Sequence, residues 1–190
     1  LGGKKLKIGD IISTTSIYKK DPLDRISLLN KIPKDTKGVQ FAWVTYYFST
    51  HNYKKAIPFL ESSIAFESDD YKQKLAELNL CACYVSCGEF QKAHEKLESL
   101  YEYFSKNNYP LLSANSLELL GQVALQQNQW QQAEKTLKKA QTLMVGKNKL
   151  YSLFIEKWLL VCGIRKAKVP ISDIEAFILK AQELGHFHSV

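Results

Sequence analysis

Leu80-Cys81-Ala82-Cys83-Tyr84-Val85-Ser86-Cys87-Gly88-Glu89-Phe90-Gln91-Lys92-Ala93-His94-Glu95-Lys96-Leu97 carries an apolar stripe on either side of a glycine. Leu80, Cys81 and Tyr84 share one helical face, and Phe90, Ala93 and Leu97 share another, because residues three and four apart lie on the same side of a 3.6-residue turn. Cys87-Gly88 between them is a turn signal. The stretch predicts a helical hairpin in which the small residues Cys81 and Ala93 let two backbones approach, while Leu80 and Phe90 fill the space beside them.

The same columns recur outward in both directions. Ala56, Ala93, Ala133 and Ile174 stand 37, 40 and 41 residues apart. Three residues before each is a large apolar side chain, Tyr53, Phe90, Trp130 or Ile171, and four after it is Leu60, Leu97, Leu137 or Ile178. Twelve before come Val44, Cys81, Gly121 and Cys162, each preceded by a larger residue: Trp43, Leu80, Leu120 and Val161. Nine before, Tyr47, Tyr84 and Ala124 agree and Arg165 breaks the series. Self-similarity at a fixed period is the signature of a repeat architecture, in which each unit buries its apolar face only by leaning on its neighbours.

This order of bulky, small, aromatic, small and bulky positions resembles the tetratricopeptide repeat (TPR) family, over about residues 37 to 185. Tyr84-x3-Gly88-x-Phe90-x2-Ala93 and Tyr47-x5-Tyr53-x2-Ala56 carry it best. Repeat four departs, with Arg165 in the aromatic column, Ile174 for alanine and a longer turn containing Pro170. All four repeats exceed the family's usual length, and with Ala181-Gln182-Glu183-Leu184-Gly185 they look like the long-hairpin subgroup of kinesin light chains and of bacterial regulators that sense peptides or sugars. The resemblance implies an all-α fold, a right-handed superhelical array (α-solenoid) of about four and a half hairpins.

Residues 1–36 read as an N-terminal arm and a lone helix, half of an earlier hairpin, and 37–190 as the repeat domain with a short C-terminal tail. The hairpins fall at about 37–68, 69–107, 110–146 and 150–185. Asp21-Pro22-Leu23-Asp24 starts the lone helix at about 22–32 with an N-cap, a proline at the first helical position and an acid in the first turn. Ser172 and Glu175 form a capping box for the last helix, with Gly185 at its C-terminus. Pro58 should distort the start of its helix. Residues 8–18 fit either a helix or an extended arm.

Composition agrees with a globular chain. Of 190 residues, 45% are hydrophobic and 24% charged, which argues against disorder. The longest apolar run, Trp158 to Ile164, is far below the roughly 18 residues of a membrane span. Four cysteines in apolar patterns point to reduced core residues and a cytoplasmic setting. Net charge is +7, unevenly placed: residues 61–118 carry five Lys/Arg against ten Asp/Glu, and 135–168 carry nine against one.

Catalytic signatures are missing. There is no G-x-G-x-x-G, Walker loop, G-x-S-x-G elbow, H-E-x-x-H or EF-hand loop, so the chain reads as non-enzymatic, without cofactor. Cys83 and Cys87 share a helix face while Cys81 points elsewhere, so the three do not converge as zinc ligands require. His186 and His188 are too few for a metal site.

By the resemblance, the first helix of each hairpin lines a concave groove. Its lining would include Phe41, Thr45 and Phe48, then Leu78, Ala82 and Val85, then Glu118, Gln122 and Leu125, and finally Leu159, Gly163 and Lys166. An exposed apolar groove is a candidate site for a helix or extended peptide; the alternative is that it is covered within the fold. A chaperone-tail clamp is not matched, since only Asn79 fits and Phe41, Thr45, Asn115 and Leu119 occupy the other positions. Lys135, Lys138, Lys139, Lys147, Lys149, Arg165, Lys166 and Lys168 form a basic strip that would suit nucleic acid or another polyanion, or simply face solvent.

The expected function is a protein–protein interaction module holding a partner helix or peptide within a larger assembly. The alternative is the ligand- or peptide-sensing part of a bacterial transcription or signalling regulator. Nucleic-acid binding ranks third, because no aromatic stacking set interleaves the lysines. The ends lack evident caps, which would allow self-association.

Overall fold

A computed structural model describes residues 21–33, 38–166 and 169–184, which are helical with no strand. They fall into two compact units that divide after Gly88. The first holds α1 (Pro22–Leu29), α2 (Val39–Ser49), α3 (Tyr53–Phe66) and α4 (Asp70–Ser86). The second holds α5 (Phe90–Lys106), α6 (Pro110–Gln126), α7 (Trp130–Met144), α8 (Lys149–Arg165) and α9 (Ile171–Glu183). In each unit every helix packs on the next one in sequence, and α6 also touches α8. Residues 69–107, expected as one hairpin, span the division between the units. The arm over residues 1–20, Gly185, His186, His188 and Lys168 lie outside the described residues.

Local chemistry sets the helix ends. Asp21, Asp69 and Asn148 each accept a backbone N–H of the first turn, from Leu23 at 2.8 Å, Lys72 at 3.0 Å and Tyr151 at 2.9 Å, which satisfies donors that have no partner inside the helix. The α2, α5 and α6 C-termini close alike. The N–H of Asn52, Tyr109 and Gln129 reaches back to the carbonyl of Tyr47, Phe104 and Ala124, each at 2.8 Å. The preceding residues His51, Asn108 and Asn128 adopt left-handed φ of 53°, 58° and 60°. This is the Schellman closure, which glycine usually serves; after α4 Gly88 takes the same left-handed conformation, with φ 79°.

The last helix begins differently from expectation. It starts at Ile171 with Pro170 in the N-cap position and no side-chain cap. Ser172 therefore sits inside the first turn, and no Ser172–Glu175 capping box forms. Proline's fixed φ already sets the extended entry (φ −65°, ψ 150°), so the helix starts two residues earlier than a Ser172 cap would place it. α3 runs on through Pro58.

Burial follows the repeat columns in the first three repeats. Ala56, Ala93 and Ala133 are completely buried, as are Cys81, Leu97 and Leu137, while Leu60 and Val44 are nearly so. Two further columns appear seven and eleven residues after the anchor: Leu100 and Phe104 on α5, Ala140 and Met144 on α7, all buried. Repeat four is shifted. Ile174 and Ile178 are only partly buried and Ile171 is exposed; Phe177 and Ala181 instead pack on Leu153 and Leu160 of α8. The longer turn before α9 displaces its apolar face by three residues relative to the anchor.

α1 is not isolated. Leu29 and Ile32 form a small core with Val39 and Ala42 of α2, and Arg25 Nη1 donates to Ser49 Oγ at 2.8 Å.

Candidate functional site

In the first unit the anchor columns stop early. Where α5 and α7 place Leu100 and Phe104, or Ala140 and Met144, the first unit has Ser63 on α3 and Glu67 as the extended residue that follows it. Polar side chains there cannot fill the space between three helices without an unpaired cost. The result is a cleft of about 630 Å³ among the start of α2, the end of α3 and the start of α4. Val44, Leu60 and Leu75 line it with Ser63, Glu67 and Lys72. At its margin Phe41 is 62% exposed and Phe66 88% exposed. Isolated exposed apolar residues are ordinary, but two phenylalanines beside one cleft form a patch.

The expected groove residues distribute unevenly. Phe41 and Asn79 line this cleft. Thr45 and Ala82 are partly buried, with the Thr45 hydroxyl donating to the Phe41 carbonyl at 2.9 Å. Phe48 packs edge-on against Tyr53, ring centres 5.3 Å apart. Leu78, Val85 and Leu125, expected as lining, are buried to 1%, 8% and 5% exposure; they belong to the core, because their helices carry apolar residues on more than one face and only one can be open.

On α6 the structure gathers a polar cluster instead. Glu118, 6% exposed, accepts hydrogen bonds from Gln122 Nε2 at 2.9 Å, Asn115 Nδ2 at 3.3 Å and the Tyr151 hydroxyl at 2.6 Å. Burial, then the Glu118 carboxylate, pushes the Tyr151 phenol well above its ordinary range, so it stays a donor. The cluster ties α6 to α8. Sequence reasoning put Glu118 and Gln122 on one face but had no signal for Tyr151, 33 residues away.

The basic strip is partly neutralised. Glu134 pairs with Lys138 at 2.8 Å and also with Lys166. Hydrogen bonds from Lys138 and then Lys166 hold the Glu134 carboxyl down at about 2. Lys139 Nζ lies 4.4 Å from the centre of the Tyr101 ring. Lys135, Lys147, Lys149 and Arg165 are exposed and form no ion pair among the described residues. They do not share one stretch: Lys147 and Lys149 flank the α7–α8 turn, and Arg165 ends α8. Leu159, Gly163 and Lys166 sit beside Glu134 and Lys138 in a separate groove.

Cys81 and Cys83 are buried and Cys87 partly so. Burial, with the neighbouring thiols of Cys87 and Cys81, pushes Cys83 up to about 12, leaving it protonated and unreactive near neutral pH. Among the described residues no group of three His, Cys, Asp or Glu side chains is placed to hold a metal ion, and no helix is long and apolar enough to cross a membrane. No protein-family model matches the sequence, and no curated protein matches it either.

Proposed function

We propose that the chain is a non-catalytic, tetratricopeptide-like interaction module of a larger assembly, and that it holds a short helical or extended segment of a partner protein in the cleft over residues 38–79. One observation carries this: Phe41 and Phe66, strongly exposed, flank an opening that exists because Ser63 and Glu67 replace core residues. An apolar anchor from the partner would cover both rings, and Glu67, Lys72 and Asn79 would take polar groups beside it. The repeat spacing and the order of helix packing support the tetratricopeptide-like reading. The lysines do not favour nucleic acid, since Glu134 and Tyr101 already engage three of them.

The test is selection of displayed peptides on the full chain, followed by affinity measurement with F41D and F66D. Both side chains are exposed, so helicity by circular dichroism should not change. Loss of binding by both variants is the expected result; selected peptides that bind both variants as tightly as the parent would overturn the assignment.

A further inference from the structure

A second cleft, of about 400 Å³, opens in the first unit among the end of α1, the outer turn of α2 and the middle of α3. Its volume falls in the range of small-molecule sites. Three rings build its wall. The Trp43 ring lies 5.6 Å from that of Tyr47 and 5.7 Å from that of Phe59, each pair at 25°, and Tyr47 and Phe59 are 5.7 Å apart. These contacts fix one another, so the wall is formed before any ligand arrives. Buried Leu29 and Val39 also contribute to the lining.

The polar groups decide the ligand class. The described lining residues include no Asp, Glu, Lys, Arg or His; the side chains able to hydrogen-bond are the amides of Asn30 and Gln40, the Ser62 hydroxyl, the Trp43 indole N–H and the Tyr47 phenol. Neither the Trp43 indole N–H nor the Tyr47 hydroxyl makes a hydrogen bond with a described residue. An ion would find no countercharge among the described lining residues, and leaving water is then costly. A flat neutral molecule would lose little and could stack on the rings.

We propose that this cleft binds a neutral, planar aromatic small molecule of about two fused rings carrying a hydrogen-bond acceptor, with Trp43 and Tyr47 supplying the stacking face and the donors. The two clefts share Gln40 and Ser62, but Phe41 and Phe66, on which the peptide reading rests, do not line this one.

The experiment uses the full chain, labelled with nitrogen-15, and three probes of one shape: quinoline near neutral pH, N-methylquinolinium and naphthalene-1-sulfonate. The three tryptophans give three indole N–H resonances, and W43F identifies that of Trp43. Quinoline should shift the Trp43 resonance saturably and leave those of Trp130 and Trp158 in place. Each charged analogue should bind about tenfold or more weakly, the size of effect expected when an ion is desolvated without a partner. Y47F keeps the ring and should weaken quinoline severalfold while F66D does not. No shift at Trp43, equal shifts at all three indoles, or equal affinity for the charged probes would overturn the proposal.

Discussion

A methyl group placed on Gly121 would stand 2.6 Å from Cγ of Leu137. Gly121 is buried in the middle of α6 and Leu137 fully buried in the middle of α7, so the α6–α7 approach is set by a missing side chain. An alanine gains about 1 kcal/mol of helix propensity over glycine, but overpacking a filled core costs about 1–3 kcal/mol. G121A is expected to be destabilising in urea unfolding, and L137A, which removes the clashing Cγ, to cost less in the G121A background than in the parent. A stabilised G121A would show that α6 and α7 separate freely.

Turn residues give a prediction of the opposite sign. His51 holds φ 53° with a side chain, and Gly88 holds φ 79° without one. A left-handed residue with a Cβ carries about 1 kcal/mol of strain. H51G should therefore raise stability by up to about 0.5 kcal/mol, once glycine's greater freedom in the unfolded chain is subtracted. G88A should lower it by about 1 kcal/mol, even though nothing lies within 4 Å of the added methyl. Thermal melts of the two variants check both signs.

The Tyr151–Glu118 hydrogen bond at 2.6 Å is a partly buried contact whose value depends on which end is removed. Y151F should cost about 1–2 kcal/mol, and E118L about 1–3 kcal/mol because it leaves the Tyr151, Asn115 and Gln122 donors unmatched. The double variant Y151F/E118L should lose clearly less than the two single losses together. Additive losses in a denaturant cycle would mean that the two groups act separately.

Acid sensitivity should trace to Glu134. Its folded carboxyl, at about 2 against an ordinary 4.5, lies below its unfolded value, so its contribution is fully present above about 4.5 and disappears as pH falls toward 2. The group is partly exposed, with 36% of its side chain accessible, so the effect is modest and salt-sensitive. The melting difference between the parent and E134Q should shrink across that window and also in high salt. A difference that grows on acidification would reverse the assignment.

Much of the helical frame was legible because its cause is local. Alternation of turn residues with apolar stripes places α1 through α8 to within a few residues, and Ala56, Ala93 and Ala133 mark their buried faces. What was not legible depends on neighbours in space. Nothing in the spacing says that Leu78 and Val85 face inward while Phe41 faces solvent, since α2 and α4 are both apolar on several sides. The Ser172 capping signal failed because Pro170 sets the helix entry first. The cleft itself was readable in principle: comparing the columns seven and eleven residues past each anchor sets Ser63 and Glu67 against Leu100, Phe104, Ala140 and Met144. The four-column pattern used for the repeat ended too soon to show it.

Refilling those columns separates stability from binding. S63A/E67M copies the pair Ala140 and Met144 found on α7, and would place apolar volume between α2, α3 and α4. The change removes the Glu67 carboxylate, which accepts the Asp69 N–H at 3.0 Å, at a cost of about 1 kcal/mol on an exposed turn. Burying most of a methionine side chain returns about 1.5–3 kcal/mol. The balance favours a more stable protein by about 1 kcal/mol whose cleft is closed, the pattern expected where function keeps a core underfilled. Melting temperature should rise while binding of peptides selected on the parent chain falls. A variant that is stabilised and still binds those peptides would show that the opening at Ser63 and Glu67 is not where they sit.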